Sequence, residues 1–231
     1  MRSRTPLTVL YEDNHLLVVS KPAGLPTQGT AAGRTGLLDL AREYLKEKYN
    51  KPGNVFLGVV SRLDAPVTGV LVLARTSKAA RRLNEQFRQG GVEKIYWALV
   101  EGHPEPAQAD CVDLVMKDER RQRMFVTKQQ HPRAQQARLN YRTLASLERM
   151  ALLEVRLETG RKHQIRVQLA HRGAPVVGDA KYGAQSDFPS GIALHSRRLV
   201  IEHPIRRTPL IVQAPCPESW QRFDIEDIDG E

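Results

Sequence analysis

The apolar residues of this chain come in bursts the length of a β-strand, and that spacing constrains its fold more than any other feature. Val70-Leu71-Val72-Leu73-Ala74 and Ile95-Tyr96-Trp97-Ala98-Leu99-Val100 are typical. Both are too short to cross a bilayer, and their β-branched and aromatic residues suit a pleated surface. An earlier burst, Leu16, Val18 and Val19, follows a turn-like Glu12-Asp13-Asn14 and is stopped by Lys21-Pro22-Ala23-Gly24. Leu153, Val155 and Leu157 interleave with Glu154, Arg156 and Glu158, which predicts a strand with one face on the core and the other on water or ligand. Leu210, Ile211 and Val212 make a late strand, and Trp220 and Phe223 in the acidic tail suggest a last packed turn or helix.

Helical spacing is rarer. Apolar residues at 37, 41, 44 and 45 predict a helix that Asn50-Lys51-Pro52-Gly53 ends. A second helix is expected to start at an N-cap Ser77, to bury Ala80, Leu83 and Phe87 with Asn84 at the edge, and to close at Gly90-Gly91. A third follows the Thr159-Gly160 turn, with Ile165 and Leu169 on one face, and ends at Gly173. Positions 116–136 are polar, basic and irregular, and read as a mobile loop or hairpin. Many strands with hairpin-sized connections and occasional helices predict an α+β fold. Its sheet is central and mostly antiparallel, with helices and loops flanking it, in a single domain over residues 1–231.

Composition narrows the function. The formal charge is +9, from 35 Lys and Arg against 26 Asp and Glu, and 41% of the residues are hydrophobic. A foldable chain with that field attracts polyanions, so nucleic acid is the first partner to consider and a well-solvated surface the bland alternative. The opening Met1-Arg2-Ser3-Arg4-Thr5-Pro6-Leu7 has no apolar run behind it, so no signal peptide is expected and a cytoplasmic protein fits. Cys111 and Cys216 form no CxxC pair, and the histidines are scattered without compact metal-ligand spacing. There is no P-loop, GxGxxG or HExxH, and no nucleophile–base set for a small hydrolase.

Three segments carry more chemistry than packing requires. In Val60-Ser61-Arg62-Leu63-Asp64-Ala65-Pro66-Val67-Thr68-Gly69, polar residues sit between apolar anchors, which is how a reactive group is placed firmly. Arg62 and Asp64 either serve a site or pair with each other to close the loop. In Thr159-Gly160-Arg161-Lys162-His163-Gln164-Ile165-Arg166, donors cluster where a helix starts, as a phosphate site would need. A solvated first turn is the alternative, although cations there oppose the helix dipole. Arg166 either faces a pocket at the core's edge or is a surface arginine. Alternation puts Tyr96 and Trp97 on opposite faces, so one is core and the other either core or free to stack on a base.

Together these residues resemble the RluA-type RNA pseudouridine synthases. The resemblance is carried, in order, by Asn14 to Gly24; by Ser61-Arg62-Leu63-Asp64 with Thr68 to Thr76; by Lys94 to Gly102; by Gly160 to Arg166; by Gly178-Asp179-Ala180-Lys181-Tyr182-Gly183; and by Ala193-Leu194-His195-Ser196. It runs from about residue 10 to about residue 215. It implies conversion of uridine to pseudouridine in structured RNA, with the C1′–N1 bond broken, the enclosed uracil turned and a C1′–C5 bond formed. No cofactor or metal is implied. Ribosomal RNA is slightly favoured as the substrate, transfer RNA is the other choice, and a monomer is the default.

The resemblance also implies roles by residue. Asp64 is the catalytic carboxylate, acting covalently or by helping deprotonate the sugar. Tyr96 stacks on the target base and accepts the C5 proton. Arg166 pairs with the aspartate, which favours its charged form. Arg62 enters the RNA as the uridine flips out, Lys21 and Arg161 contact phosphates, and Leu194 lines the floor beneath the base.

The family's usual histidine before Arg-Leu-Asp is Ser61 here, and Val67-Thr68-Gly69 replaces the commoner Thr-Ser-Gly or Val-Ser-Gly. Sixty-three residues precede Asp64, which leaves no room for the S4-like RNA-binding module of several relatives. Recognition is therefore expected from the catalytic domain, with the basic 117–133 stretch as a contact loop. The alternative from another class is a non-catalytic RNA-binding or ribosome-assembly factor on the same fold.

Overall fold

The computed structural model describes residues 7–29, 33 and 35–223. The chain divides into two compact units: Met1–Val92 with Arg198–Pro215, and Glu93–Arg197 with Cys216–Glu231.

The first unit opens with β1 (Thr8–Glu12) and β2 (Leu16–Lys21), an antiparallel pair in which Val9 faces Val19. The turn between them is tied by Asp13, whose Oδ1 accepts from the His15 and Leu16 N–H groups at 2.8 Å each. Helix α1 (Leu37–Lys48) follows, then β3 (Gly58–Val59), β4 (Thr68–Ala74) and α2 (Ser77–Gln89). Strand β4 pairs antiparallel with both β2 and β3. Leu16 to Val19 and the whole of β4 are buried, as unbroken apolar runs demand when both faces of a strand are covered. The unit is completed late in the chain by Arg198–Glu202 of β10 (Leu194–Glu202), paired antiparallel with β11 (Pro209–Gln213).

Helix α2 has the expected length and stop, since Gly90 takes the left-handed conformation at φ 77°. Its cap is Thr76 rather than Ser77: the Thr76 hydroxyl accepts from the Ala79 N–H. The helix thus starts one residue earlier than expected, and Ala79 and Leu83 are fully buried, with Ala80 and Phe87 packed beside them and Asn84 exposed.

Asp13 also organises the late residues of this unit. Its Oδ2 accepts from Tyr11 Oη at 3.0 Å, His203 Nε2 at 2.8 Å and Arg206 Nη2 at 2.9 Å. His203 Nδ1 accepts the Ile205 and Arg206 N–H groups, so the imidazole proton sits on Nε2 and points at the carboxylate. Burial alone would raise the Asp13 carboxyl, but the His15 and Leu16 N–H groups and His203 hold it down at about 2. A carboxyl held lower in the fold than in the open chain adds stability above its unfolded value near 3.9, and loses it as pH falls towards 2. Asp13→Asn is expected to remove about 1–2 kcal/mol at neutral pH and to leave a flatter stability curve between pH 4 and 2, measured by urea unfolding. Parallel curves for the two proteins over that range would refute it.

In the second unit, β5 (Glu93–Glu101), β9 (Met150–Leu157), β8 (Gln135–Ser146), β6 (Gln108–Asp118) and β7 (Arg123–Thr127) pair antiparallel in that order. Helix α3 (Gln164–His171) places Val167 against Val115, Met124 and Ala137 of this sheet. Short 3-10 turns cover Ala180–Tyr182 and Glu218–Phe223. In the latter, Trp220 is buried edge-on against Phe188 and His195, with ring centroids 5.7 and 6.2 Å apart. The strand pairs named in both units are antiparallel, and the fold is the α+β class expected.

One open reading is resolved here and one expectation needs correction. Of the two readings of residues 116–136, the hairpin holds for much of the segment: β6 runs to Asp118, turns over 119–122 and returns as β7. In β9, Leu153 and Val155 are buried and Arg156 and Glu158 exposed, as the alternation predicts, but Glu154 is buried with its apolar neighbours. Glu154 tolerates burial because Arg142 and Arg156 both donate to its Oε1, at 3.0 and 3.2 Å.

Candidate active site

The loop carrying Asp64 links β3 to β4; Val59 before it pairs with Leu73 of β4, and Gly69 after it pairs with Lys21 of β2. Leu63 and Val67 are buried on either side, while Asp64 is half-buried, Ser61 likewise, and Arg62 exposed. The apolar anchors thus hold the backbone while the polar side chains between them stay near water. Inside the loop the Val67 N–H donates to the Asp64 carbonyl at 3.1 Å, closing a tight turn after the carboxylate.

Lys21 ends β2 next to this loop and is fully buried. Its ammonium donates to the carbonyls of Pro22 and Leu25 at 2.8 Å each and of Ala65 at 3.0 Å. All three N–H bonds are therefore spent on the main chain, which argues against the phosphate contact expected of it. The ammonium instead ties the residue after Asp64 to the turn after β2, and the Gly24 N–H reinforces this by donating to Ala65 O at 2.8 Å. Burial draws the Lys21 pKa down to about 7 while the Asp64 carboxylate pulls it back up. The three carbonyls also favour the protonated form, since only that form has three N–H bonds to give.

The remaining candidates lie in the second unit. Tyr96 and Trp97 point to opposite faces of β5, as alternation requires. Trp97 is core, with the Arg197 guanidinium 4.9 Å from its ring centroid, and Tyr96 is half-buried. Arg166, on α3, is a buried arginine rather than a surface one. It forms a two-pronged pair with Asp179, Nε to Oδ2 at 2.6 Å and Nη2 to Oδ1 at 2.8 Å. Its guanidinium lies 5.0 Å from the Tyr182 ring centroid. Tyr182 in turn accepts from the Met124 N–H of β7 at 3.0 Å and shares a 2.7 Å hydrogen bond with His163 Nδ1.

Arg161 and Lys162 precede α3 instead of lying in its first turn, which removes the conflict with the helix dipole. The Gln164 side chain takes over the start of the helix, accepting from the Arg161 N–H and the Thr159 hydroxyl. Arg161 is exposed and spends its Nε on Gln136 O. Leu194, at the start of β10, is buried.

Asp179, Tyr182 and Thr27 were not singled out by residue chemistry. Asp179 and Tyr182 could have been found as the polar members of the Gly178–Gly183 block. Thr27 left no such signal. Among the described residues, no three His, Cys, Asp or Glu side chains gather as a metal site would need.

A family profile described as RNA pseudouridylate synthase matches residues 15–171, which include the Asp64 loop, the Tyr96 strand and Arg166. The chain belongs to that family. This pseudouridine synthase is 36% identical over 232 residues to the ribosomal large subunit pseudouridine synthase D of Xanthomonas campestris pv. campestris, covering 94% of this chain and 68% of the relative. It is 32% identical over 235 residues to the transfer RNA pseudouridine synthase C of Salmonella typhimurium, covering 94% and 88%. Among solved structures, it resembles human RNA pseudouridylate synthase domain containing 4 at a TM-score of 0.78 and 26% identity, over 94% of this chain and 93% of that one. The pseudouridine synthase is thus an isomerase that converts uridine to pseudouridine in RNA, the reaction its motifs implied. No helix among its described residues is long and apolar enough to cross a membrane.

Proposed function

We propose that this pseudouridine synthase modifies structured ribosomal RNA, with Asp64 as the carboxylate that drives the isomerisation. The observation that carries the assignment is the gripping of the Asp64 loop: the residue behind the carboxylate is buried, and the one ahead is held by Lys21 and Gly24. Such a fixed carboxylate can meet a sugar carbon or proton without first being ordered. Tyr96 stacks on the uracil and takes its C5 proton, a role that suits the half-buried member of the Tyr96–Trp97 pair. Leu194 supplies apolar surface beneath the base.

Arg166 is the cationic partner of Asp64 in this reading, held in one orientation by Asp179. Arg62 enters the RNA as the uridine leaves its stack, and its exposure at the loop's tip favours that role. Arg161 contacts phosphate. The hairpin of β6 and β7 adds an RNA contact through Arg120, Arg121 and Arg123.

The two units act as one catalytic domain in a monomeric, cytoplasmic enzyme that needs no metal. Ribosomal RNA is preferred because the Xanthomonas relative is named for it, and transfer RNA is the second candidate through the Salmonella relative. The test is incubation of the purified protein with separate pools of unmodified ribosomal and transfer RNA, followed by pseudouridine mapping at nucleotide resolution. A defined new site in ribosomal RNA is expected. Conversion in transfer RNA alone would overturn the substrate assignment, and tight binding with no conversion in either pool would count against an isolated, monomeric enzyme acting on free RNA.

A further inference from the structure

Thr27 touches neither β-ladder nor surface, yet its hydroxyl is fully used. It is 4% exposed, accepts from the Leu63 N–H at 3.1 Å and donates to the Leu63 carbonyl at 2.9 Å. Leu63 lies in the connection between β3 and β4, outside the strands, and is itself buried. Its two main-chain polar groups need partners there, and one side chain from 36 residues earlier supplies both. A hydroxyl that merely filled a gap in the core would need only one such bond.

The threonine is in turn fixed to a rigid element. Its carbonyl accepts from the Leu38 N–H and the Pro26 carbonyl from the Leu37 N–H, at the start of α1. Leu37, Leu38, Ala41 and Leu45 root that helix in the core. The approach is close: a Cβ at Gly36 would lie 2.4 Å from the Gln28 main chain, so the helix start and the 26–29 segment are pressed together. The chain of support runs from a packed helix to Thr27, from Thr27 to Leu63, and from Leu63 to Asp64. The Leu63 carbonyl belongs to the same peptide plane as the Asp64 nitrogen. Fixing it sets the axis about which the Asp64 side chain swings, and the Lys21 and Gly24 bonds to Ala65 O steady the other side.

We propose that Thr27 is a positioning residue for the isomerisation, aiming the Asp64 carboxylate by holding the peptide before it. The inference rests on the reading of Asp64 as the catalytic carboxylate. Valine keeps the shape of threonine but leaves both Leu63 groups unmatched and lets the peptide plane turn. A displacement of about 1 Å at a reacting group can cost about 100-fold in rate. Thr27→Val is therefore expected to lower kcat by about 10- to 100-fold, with KM and RNA affinity within about 2-fold, because only the reactive geometry changes. Thr27→Ser restores the hydroxyl and is expected to stay within about 3-fold of the parent rate.

The experiment compares the full-length parent, Thr27→Val, Thr27→Ser and Asp64→Asn in pseudouridine formation on in-vitro-transcribed large-subunit ribosomal RNA and transfer RNA. RNA binding and thermal unfolding are followed in parallel, and a crystal structure of Thr27→Val is determined. If valine unfolds the chain, Thr27→Cys takes its place, since a thiol bonds more weakly at similar size. A loss of kcat rescued by serine, with a displaced Asp64 carboxylate in the crystal, supports the proposal. Equal loss with serine and valine, an unchanged rate with valine, or an Asp64 carboxylate that does not move overturns it. An Asp64→Asn protein that keeps its activity would instead remove the catalytic reading beneath it, so the two failures are told apart.

Discussion

Asp64→Asn is expected to reduce pseudouridine formation by on the order of 10⁴-fold while leaving folding and RNA binding intact. The amide has the shape of the carboxylate but can neither attack carbon nor take up a proton at neutral pH. The loop has main-chain hydrogen bonds that do not involve the carboxylate. Thr27 and Lys21 hold its neighbours, and the Val67 N–H bonds to the Asp64 main-chain carbonyl. The loss should therefore fall on chemistry rather than on structure. Single-turnover assays with saturating enzyme isolate that step, and retained RNA affinity provides the control. A variant that keeps more than about one-hundredth of the parent rate is incompatible with a carboxylate at the centre of the reaction.

The second large effect is on stability. Asp179→Ala is expected to destabilise the protein by about 3–5 kcal/mol, because it leaves the Arg166 guanidinium buried without the carboxylate that grips two of its nitrogens. Both side chains are nearly inaccessible, at 6% and 2% exposure, so water cannot replace the lost partner. Urea unfolding would measure the change, and a shift below about 1 kcal/mol would mean that the pair is not what holds α3 to the Ala180–Tyr182 turn. A double replacement separates structure from chemistry. Arg166→Met with Asp179→Leu trades the ion pair for apolar contact and should recover much of the stability, since such swaps in buried sites are often neutral or better. It should recover none of the activity, because the proposed partner of Asp64 is gone. Full activity in the stable double variant would assign the pair to the scaffold alone.

Much of this was readable from residue order, and the exceptions have a common cause. The β4 run of Thr68–Ala74, the α1 positions 37, 41 and 45, and the Gly90 stop follow from spacing and from φ restrictions, which are local. Glu154 was misjudged because its burial depends on two arginines, one of them on a neighbouring strand. Lys21 reads as a cation and behaves as a main-chain staple, since its three carbonyl partners come from two separate turns. The Arg166–Asp179 pair joins residues 13 apart across a helix end and a turn, and Thr27 meets Leu63 from 36 residues away. Pattern detects which residues alternate or repeat; it does not detect which distant backbone groups a side chain will satisfy. The proposed reactive residues rest on family likeness, whereas the groups that hold Asp64's loop and Arg166 in place emerge only from the folded structure.

The order of residues in β10 and β11 bears on how the protein comes into being on the ribosome. The first unit begins with the earliest residues made, but Leu199, Ile201, Val212 and Ala214 are part of its core. Until these have emerged, β2, β4 and α2 lack the apolar surface that closes over them. The sheet of the second unit, from Glu93 to Leu157, is by contrast one continuous stretch, with β6–β7 and β8–β9 as local hairpins, and can assemble while the rest is still being translated. The half of the enzyme that carries Asp64 is thus the first to be synthesised and among the last to be finished. A nascent chain arrested near residue 190 should bear an ordered second sheet behind an incomplete, protease-sensitive beginning.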